Sequence, residues 1–463
     1  MDDLNRLAAI ILAAGEGKRM KSKIPKVLHC LGGIPILHYP LGLVEALHAE
    51  ISVVVVGHCA EAVTASLEGK SVQTVLQSER KGTADAVLQT APLLKDFVGC
   101  VFILKGDTPL ISQETLTRLL KTHQGNSATV TLLTANLFNP KGYGRIIRGK
   151  GNTIDRIVEE KDGTDEERKI GEINSGTYIV ESAFLFDALR KVSPVNAQKE
   201  YYLTDIIKIA KDSGEKVIAV ITNEEEVFGI NSRADLARAE GVIQKRIRQY
   251  WMDAGVTLVD PSQVRIDAQV TIGRDSVLYP GVSLEGKTKI GEGCQIHASR
   301  IKDSRLDDNV LVRDYCVIDT AEVESDVTIG PFAHLRPQTI LRCRSKVGNF
   351  VEIKKSELGE GAKANHLSYL GDAKIGRRVN IGAGVITCNY DGHKKSQTII
   401  EDDVFIGSDT QFVAPVTIGS GSLIAAGSTV THDVEPNSLV ISRGKQTTKA
   451  GWTKKIKKEK QEK

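Results

Sequence analysis

The sequence predicts two architectures in tandem: an α/β half with a Rossmann-like, mostly parallel sheet, then a left-handed parallel β-helix of hexapeptide repeats. Three observations carry this. Aliphatic residues fall on every sixth position in long runs: Ile272, Leu278, Leu284, Ile290 and Ile296; Ile329, Leu335, Leu341, Val347 and Ile353; Ile400, Ile406, Phe412, Ile418, Ile424 and Val430. A six-residue step sets one inward side chain on each flat side of a three-sided coil, so coils stack their aliphatics into internal ladders. Glycine repeatedly follows the ladder residue, as in Ile290-Gly291, Ile381-Gly382 and Ile406-Gly407, which suits tight corners. The first half instead alternates short β-branched runs with helical stretches, the pattern of a parallel sheet covered on both faces.

In chain order, strands are predicted at Leu7–Leu12, Ile51–Val56, 101–104, 130–133 and 217–221, with helices at 83–94 and 200–211. These make a domain of residues 1–231. Leu236, Ile243, Ile247 and Trp251 then recur at helical spacing, predicting a linking helix over 232–253. The β-helix domain follows over 254–463, with coils of about eighteen residues stacked roughly 4.8 Å apart and about nine or ten coils in all. Its last residues, Lys454-Lys455-Ile456-Lys457-Lys458-Glu459-Lys460, read as a charged tail frayed in solvent.

Composition narrows the function. The 463 residues exceed a single core. With 61 Lys+Arg against 58 Asp+Glu the net charge is +3, which gives no reason to propose a nucleic-acid surface. Seven cysteines without a C-x-x-C pair read as reduced, mostly buried thiols. No basic-then-apolar leader and no run of eighteen apolar residues is present, so a cytoplasmic protein with no membrane span is expected.

In an open parallel sheet, ligands gather at the carboxyl ends of strands. The first strand ends in Leu12-Ala13-Ala14-Gly15-Glu16-Gly17-Lys18-Arg19-Met20, followed by Pro25-Lys26. Small residues let a phosphate approach backbone N–H groups, and Arg19 and Lys26 supply compensating charge. The string is not the G-x-x-x-x-G-K-[ST] type, and a bare turn would also explain the glycines. The strand at 101–104 closes with Lys105-Gly106-Asp107, leaving one carboxylate above the sheet, as a Mg²⁺ sharing phosphate oxygens requires. Asp beside Gly is also a turn former. Asn231 is a candidate second oxygen ligand, although Asn before Ser also caps helices.

The β-helix ladder lapses between Ile381 and Ile400, where Asn389-Tyr390-Asp391-Gly392-His393-Lys394-Lys395 intervenes. Binding groups in solenoids sit at such interruptions. Nearby are His366, Glu352, Lys354 and Arg336. A histidine in a solenoid is often only packing or a surface group. Acyl transfer from a thioester to an amine, however, needs the amine unprotonated, and imidazole can take that proton near neutrality. On this reading Glu352 orients the ring, and Arg336, Lys354 and Lys395 bind a sugar phosphate.

Leu12-Ala13-Ala14-Gly15 with Lys26, Gln77 with Gly82-Thr83, Gly106-Asp107, Gly142-Tyr143-Gly144-Arg145, Ile157-Val158-Glu159, Ile173-Asn174-Ser175-Gly176 and Gly229-Ile230-Asn231 together resemble the sugar-1-phosphate nucleotidyltransferases. With the β-helix behind them, nearly the whole chain resembles the bacterial bifunctional N-acetylglucosamine-1-phosphate uridyltransferases and glucosamine-1-phosphate N-acetyltransferases. The resemblance implies that Leu12, Ala13, Ala14 and Gly15 hold the nucleotide with Lys26, that Gln77, Gly82 and Thr83 read uracil, and that Gly144, Glu159 and Asn174 hold the acetylated sugar. It implies Mg²⁺ on Asp107 and Asn231. In the β-helix it implies His366 as base supported by Glu352, with Arg336, Lys354, Tyr369, Asn380 and Lys395 around glucosamine-1-phosphate. Ala383, Asn389, Tyr390, Ser408, Ala426 and Arg443 would line the acetyl-CoA groove. Two positions depart from many relatives: Lys105, where an aromatic residue is common, and Gln397, where a second lysine is common.

The expected activity is therefore acetyl transfer from acetyl-CoA to glucosamine-1-phosphate, then uridylyl transfer from UTP to N-acetylglucosamine-1-phosphate, releasing pyrophosphate. Because the β-helix groups lie on different coils and faces, a homotrimer with clefts between neighbours is expected. Two other readings stand beside this one. The β-helix could be a regulatory or oligomerising module, against which His366 with Asn389-Tyr390 speaks. The chain could be a non-catalytic scaffold, against which Arg19, Lys26 and Asp107 speak.

Overall fold

The computed structural model describes residues 6–461, which form two compact units meeting at Lys245 and Arg246. In the first unit the strands are β1 (Leu7–Leu12), β2 (Ile51–Val56), β3 (Gln73–Leu76), β4 (Cys100–Lys105), β5 (Val130–Asn136), β6 (Arg145–Arg148), β7 (Ile154–Val158), β8 (Glu172–Glu181) and β9 (Val217–Thr222). Their order across the sheet is β9-β5-β8-β4-β1-β2-β3, with β6 pairing to β8 and β7. The pairs β1–β2, β1–β4, β2–β3 and β5–β9 are parallel. The central strands are apolar throughout because helices cover both faces: Ala8, Ala9, Ile10 and Ile11 are fully buried and divide between two cores, one on each side of the sheet.

One strand was not expected, and two expected helices need correction. Strand β8 runs antiparallel between β4 and β5. Its apolar pattern is broken by Asn174, Ser175 and Gly176, where the register shifts before Tyr178, so periodicity alone hides it. The helix expected over 83–94 is two short ones, Thr83–Leu88 and Ala91–Leu94, with Pro92 in the first turn of the second. Proline lacks the N–H that would continue the first helix. The helix expected from 200 begins only at Asp205. The preceding loop is tied to the start of helix Thr83–Leu88, because Tyr201 N donates to Lys81 O, Ala84 N to Tyr201 O, and Leu203 N to Thr83 Oγ1.

The amphipathic helix spans Arg233–Asp253. Ser232 Oγ accepts from Asp235 N, and Asp235 Oδ2 accepts from Ser232 N and Asn231 N, a reciprocal cap. In the second unit, Ile247, Trp251 and Met252 close one end of the β-helix core.

The β-helix has three parallel sheets of eleven, ten and nine short strands. The ladders are continuous. Ile272 faces Ile290 and Ile329 faces Val347, steps of eighteen residues, whereas Leu284 faces Ile301 and Val312 faces Ile329, steps of seventeen. The apparent gap in the six-residue period after Ile296 is therefore made of corners one residue shorter. Faces of eleven, ten and nine strands amount to ten three-sided coils, within the nine or ten expected. Where the ladder lapses, Thr387 fills the interior position: its hydroxyl donates to Gly371 O at 3.0 Å and accepts from Gly371 N at 2.7 Å. Ala373 then faces Thr398, a step of twenty-five, and the extra residues form the loop after Cys388.

The lysine-rich end, expected to fray, is helical over Trp452–Gln461. Of the seven cysteines Cys100, Cys294 and Cys316 are buried, Cys343 and Cys388 half-buried, and Cys30 and Cys59 exposed, so the expectation of mostly buried thiols holds for three of them. No helix among the described residues is long and apolar enough to cross a membrane.

Candidate active sites

In the first unit a cavity of about 390 Å³ opens at the carboxyl ends of β1 and β4. Leu12, Ala13, Ala14, Gly15, Lys26, Gln77, Gly82 and Thr83 line one part of it, and Gly144, Glu159 and Asn174 another. Gly106 N donates to Leu12 O, locking the two strand ends together. Gln77 is buried, and its Nε2 donates to Gly82 O at 3.1 Å and Asp85 Oδ2 at 2.7 Å. Gly82 sits at φ +121°, where a Cβ would run into the Tyr201 backbone. A Cβ on Gly144 would lie 2.9 Å from Ile157 Cγ2 and 3.4 Å from Glu159 Oε1, so glycine keeps this wall open. Asn174 Nδ2 donates to Tyr178 OH at 2.6 Å while its Oδ1 accepts from Gly176 N, which fixes the amide orientation. Thr204 Oγ1 donates to Glu159 Oε1 at 3.2 Å. Burial holds the Glu159 carboxyl above its ordinary range, against the opposing effects of Thr204 and Lys105.

Beside this cavity the Lys26 ammonium bridges Asp107 Oδ2 and, at 3.1 Å, Asn231 Oδ1. Ile230 N donates to Asp107 O, which holds the Asn231 segment against the β4 end. Burial would raise the Asp107 pKa, but the Lys105 and Lys26 charges bring it below its ordinary value, so the group is a carboxylate. Its Oδ1 is buried without a hydrogen-bond partner among the described residues, and Lys105 Nζ lies 3.8 Å from it. An unpartnered carboxylate oxygen beside an amide oxygen is a hard-oxygen donor set that fits Mg²⁺.

The expectation for Arg19 differs from what the structure contains. Arg19 lies on the tight turn Lys18–Met20, and burial of Met20 points its neighbour outward; Arg19 is exposed and outside the cavity lining. Arg80, Lys105 and Glu200, none of them expected in the lining, are there.

In the β-helix, Asn349 faces His366 across adjacent coils, and His366 Nδ1 lies 2.9 Å from Asn349 Oδ1. An amide oxygen only accepts, so Nδ1 is the donor of this contact, which in the neutral ring leaves the lone pair on Nε2. The ring's partner is therefore Asn349 and not Glu352. Glu352 is drawn off by Arg336, whose Nη1 donates to Glu352 Oε1 at 2.8 Å. Register carries the His366 position upward: Ala364 faces Ile381, Ile381 faces Ile406 and Ile406 faces Ile424. His366, Ala383, Ser408 and Ala426 thus follow one another along one corner. Arg443 Nη1 donates to Ala426 O at its top.

Cations gather on the neighbouring face. Lys354 and Lys355 each place Nζ 3.6 Å from Asp372, which also accepts from the buried Asn389 Nδ2 at 2.5 Å. Contact with Lys354 holds Lys395 below its ordinary ammonium range, while Lys354, bonded to Lys395 and facing Asp372, is held above it. Tyr369 pairs with Glu352 on this face. Asn380 lies on another face, paired with Lys363 and Phe405 in the sheet that carries the His366 strand. Tyr390, bridged to Lys395 across the inserted loop, is exposed and donates from its hydroxyl to Gly392 O. Asn349 and Asp372 went unnoticed in the sequence. The first lies seventeen residues before His366, one fewer than the eighteen-residue coil expected from the sequence.

Comparison with known proteins agrees with both halves. Residues 8–258 match the family described as nucleotidyl transferase, and residues 397–432 match the bacterial transferase hexapeptide family of six repeats. The fold and sites thus define a nucleotidyltransferase joined to a left-handed β-helix transferase of the hexapeptide type. The chain is 49% identical to the bifunctional protein GlmU of Pelobacter propionicus over 98% of its own length and 100% of that protein's. It is 51% identical to the GlmU of Geotalea uraniireducens (97% and 99%) and 47% to that of Halalkalibacterium halodurans (96% and 98%). The chain belongs to the bifunctional GlmU family.

Proposed function

We infer that this chain is a bifunctional enzyme of UDP-N-acetylglucosamine synthesis, acetylating glucosamine-1-phosphate from acetyl-CoA and coupling N-acetylglucosamine-1-phosphate to UTP with release of pyrophosphate. The observation that carries the reading is end-to-end similarity to GlmU proteins combined with two separate polar sites, one in each unit.

In the first reaction the amine nitrogen attacks the thioester carbonyl and the CoA thiolate leaves. His366 Nε2, its lone pair set by Asn349, takes the amine proton. Arg336, Lys354 and Lys395, with Tyr369 and Asn380, hold the sugar phosphate. Glu352 orients Arg336 and so acts on the sugar phosphate's binding rather than on the ring. Ala383, Asn389, Tyr390, Ser408, Ala426 and Arg443 provide the groove for acetyl-CoA. In the second reaction a phosphate oxygen of the sugar attacks the α-phosphorus of UTP and the bond to pyrophosphate breaks. Leu12 to Gly15 cradle the nucleotide, Gln77, Gly82 and Thr83 hold the uracil edge, and Gly144, Glu159 and Asn174 seat the acetylated sugar. Lys26 neutralises charge as it develops. Mg²⁺ held by Asp107 and Asn231 would further neutralise the phosphate oxygens. Arg19, at the loop's outer edge, assists in phosphate capture.

A homotrimer completes the acetyltransferase sites. Support comes from an exposed column of Tyr315, Phe332, Phe350 and Leu367 beside His366, whose rings stack at 5.2 Å. Light scattering coupled to size exclusion should give three chains; an active monomer would refute it. The substrates suit a cytoplasmic enzyme that feeds cell-envelope polymers.

The test is a paired assay on the full chain. His366→Ala should lower CoA release about 10²–10⁴-fold and leave pyrophosphate release unchanged, and Asp107→Ala should do the reverse. Parental CoA release in the first variant would remove His366 as base. Parental pyrophosphate release in the second would remove the metal site.

A further inference from the structure

One cluster in the first unit serves neither reaction. Cys100 opens β4 and Glu181 closes β8, and the two face each other across the sheet. His123 stands in the last turn of the helix Gln113–Gly125. His123 Nε2 lies 3.0 Å from Glu181 Oε1, Cys100 Sγ lies 3.5 Å from the same oxygen, and all three ligating atoms fall within 4.8 Å of one another. Strand β4 begins at Cys100 and ends at Lys105 beside the nucleotide cavity, so the cluster occupies the opposite end of the sheet, roughly 17 Å away along the strand.

We propose that Cys100, His123 and Glu181 form a binding site for a borderline-soft divalent cation of the zinc type, with a fourth position open to solvent. Bonds of about 2.0–2.3 Å to N, O and S in a tetrahedron subtend ligand–ligand edges of about 3.3–3.6 Å. The existing separations straddle those edges, so small side-chain movements suffice. The mixed thiolate, imidazole and carboxylate set selects against Mg²⁺ and Ca²⁺, which want oxygen alone. Orientation is already supplied: Thr131 Oγ1 lies 2.9 Å from His123 Nδ1, the outer-shell contact that fixes a ligating ring with Nε2 aimed inward. His123 and Cys100 are buried, while the Glu181 side chain keeps 31% of its surface exposed, which leaves an entry path.

Without a metal, burial and the nearby Glu181 push the Cys100 thiol up to about 12, so the thiol is protonated. Cation binding must therefore displace that proton to solvent, as thiolate ligation generally does. The bound ion would tie a helix end to two strand ends.

The test is titration of the reduced full chain with Co²⁺, a spectroscopic stand-in for Zn²⁺. Expected are one equivalent taken up, a thiolate-to-cobalt charge-transfer band in the near ultraviolet, and loss of that band on adding Zn²⁺. Cys100→Ser should abolish the band although the exposed Cys30 and Cys59 remain. Glu181→Gln, at a part-exposed position, should fold normally and weaken Co²⁺ binding at least tenfold. An unchanged band in Cys100→Ser, unchanged affinity in Glu181→Gln, or no stoichiometric uptake by the parent would overturn the proposal.

Discussion

The two units place polar groups by opposite means. In the first, the cavity draws on residues from Leu12 to Thr204, brought together from several loops, a strand and a helix far apart in the sequence. In the β-helix, the corner bearing Asn349, His366, Ala383, Ser408 and Ala426 is one backbone position repeated once per coil. A site of the first kind depends on many unlike tertiary contacts. A site of the second kind depends on register alone, so the two should fail differently under mutation.

The sharpest way to break this contrast is a single-residue insertion after Val347. It would move every outward residue of that strand off its partner, including Asn349, and should lower acetyl transfer about 10³-fold. One glycine added between Gly392 and His393 should cost under tenfold. Equal losses would show that register is not what matters. Next in size, Asn349→Ala frees the imidazole to turn or change tautomer; kcat for acetyl transfer should fall about tenfold with the acidic limb of its pH profile displaced, and uridylyl transfer unaltered. A purely structural role for Asn349 would leave the pH profile unmoved.

Smaller effects concern stability. Thr387→Val keeps the volume but strands the buried Gly371 N–H, costing about 1–3 kcal/mol, read as a lower urea midpoint of the β-helix transition only. The smallest effect comes from Glu159. Its carboxyl, raised by burial, contributes stability that is present below the unfolded carboxyl pKa and lost as pH rises through the higher folded value. Glu159→Gln should flatten the decline in stability of the first unit between acid and neutral pH and leave the β-helix unaffected.

The same contrast explains what could be read from the sequence. The aliphatic ladder was legible because every coil repeats it, and its apparent lapses are five-residue corners and one threonine bonded to the coil below. Parallel strands β1 and β2 were legible as unbroken apolar runs. Strand β8 was not, because the residues that face the cavity interrupt its pattern. Within the sites, Lys26 and Asp107 stand in short motifs. The contact of Asn349 with His366 is a coil-length correlation, and so is the pairing of Glu352 with Arg336 between adjacent coils of one face. The outward setting of Arg19 was not legible, because a charge near a glycine loop does not reveal which way a turn points; Met20, being apolar, takes the inward place.

The inserted segment after Cys388 leaves from one corner and returns before Thr398, and the strands above it resume their stacking on those below. Growth at an edge of the prism is thus topologically silent to the rest of the column. A lineage could lengthen, shorten or recode that excursion, and with it the choice of acyl donor or acceptor, without disturbing the scaffold that carries the base.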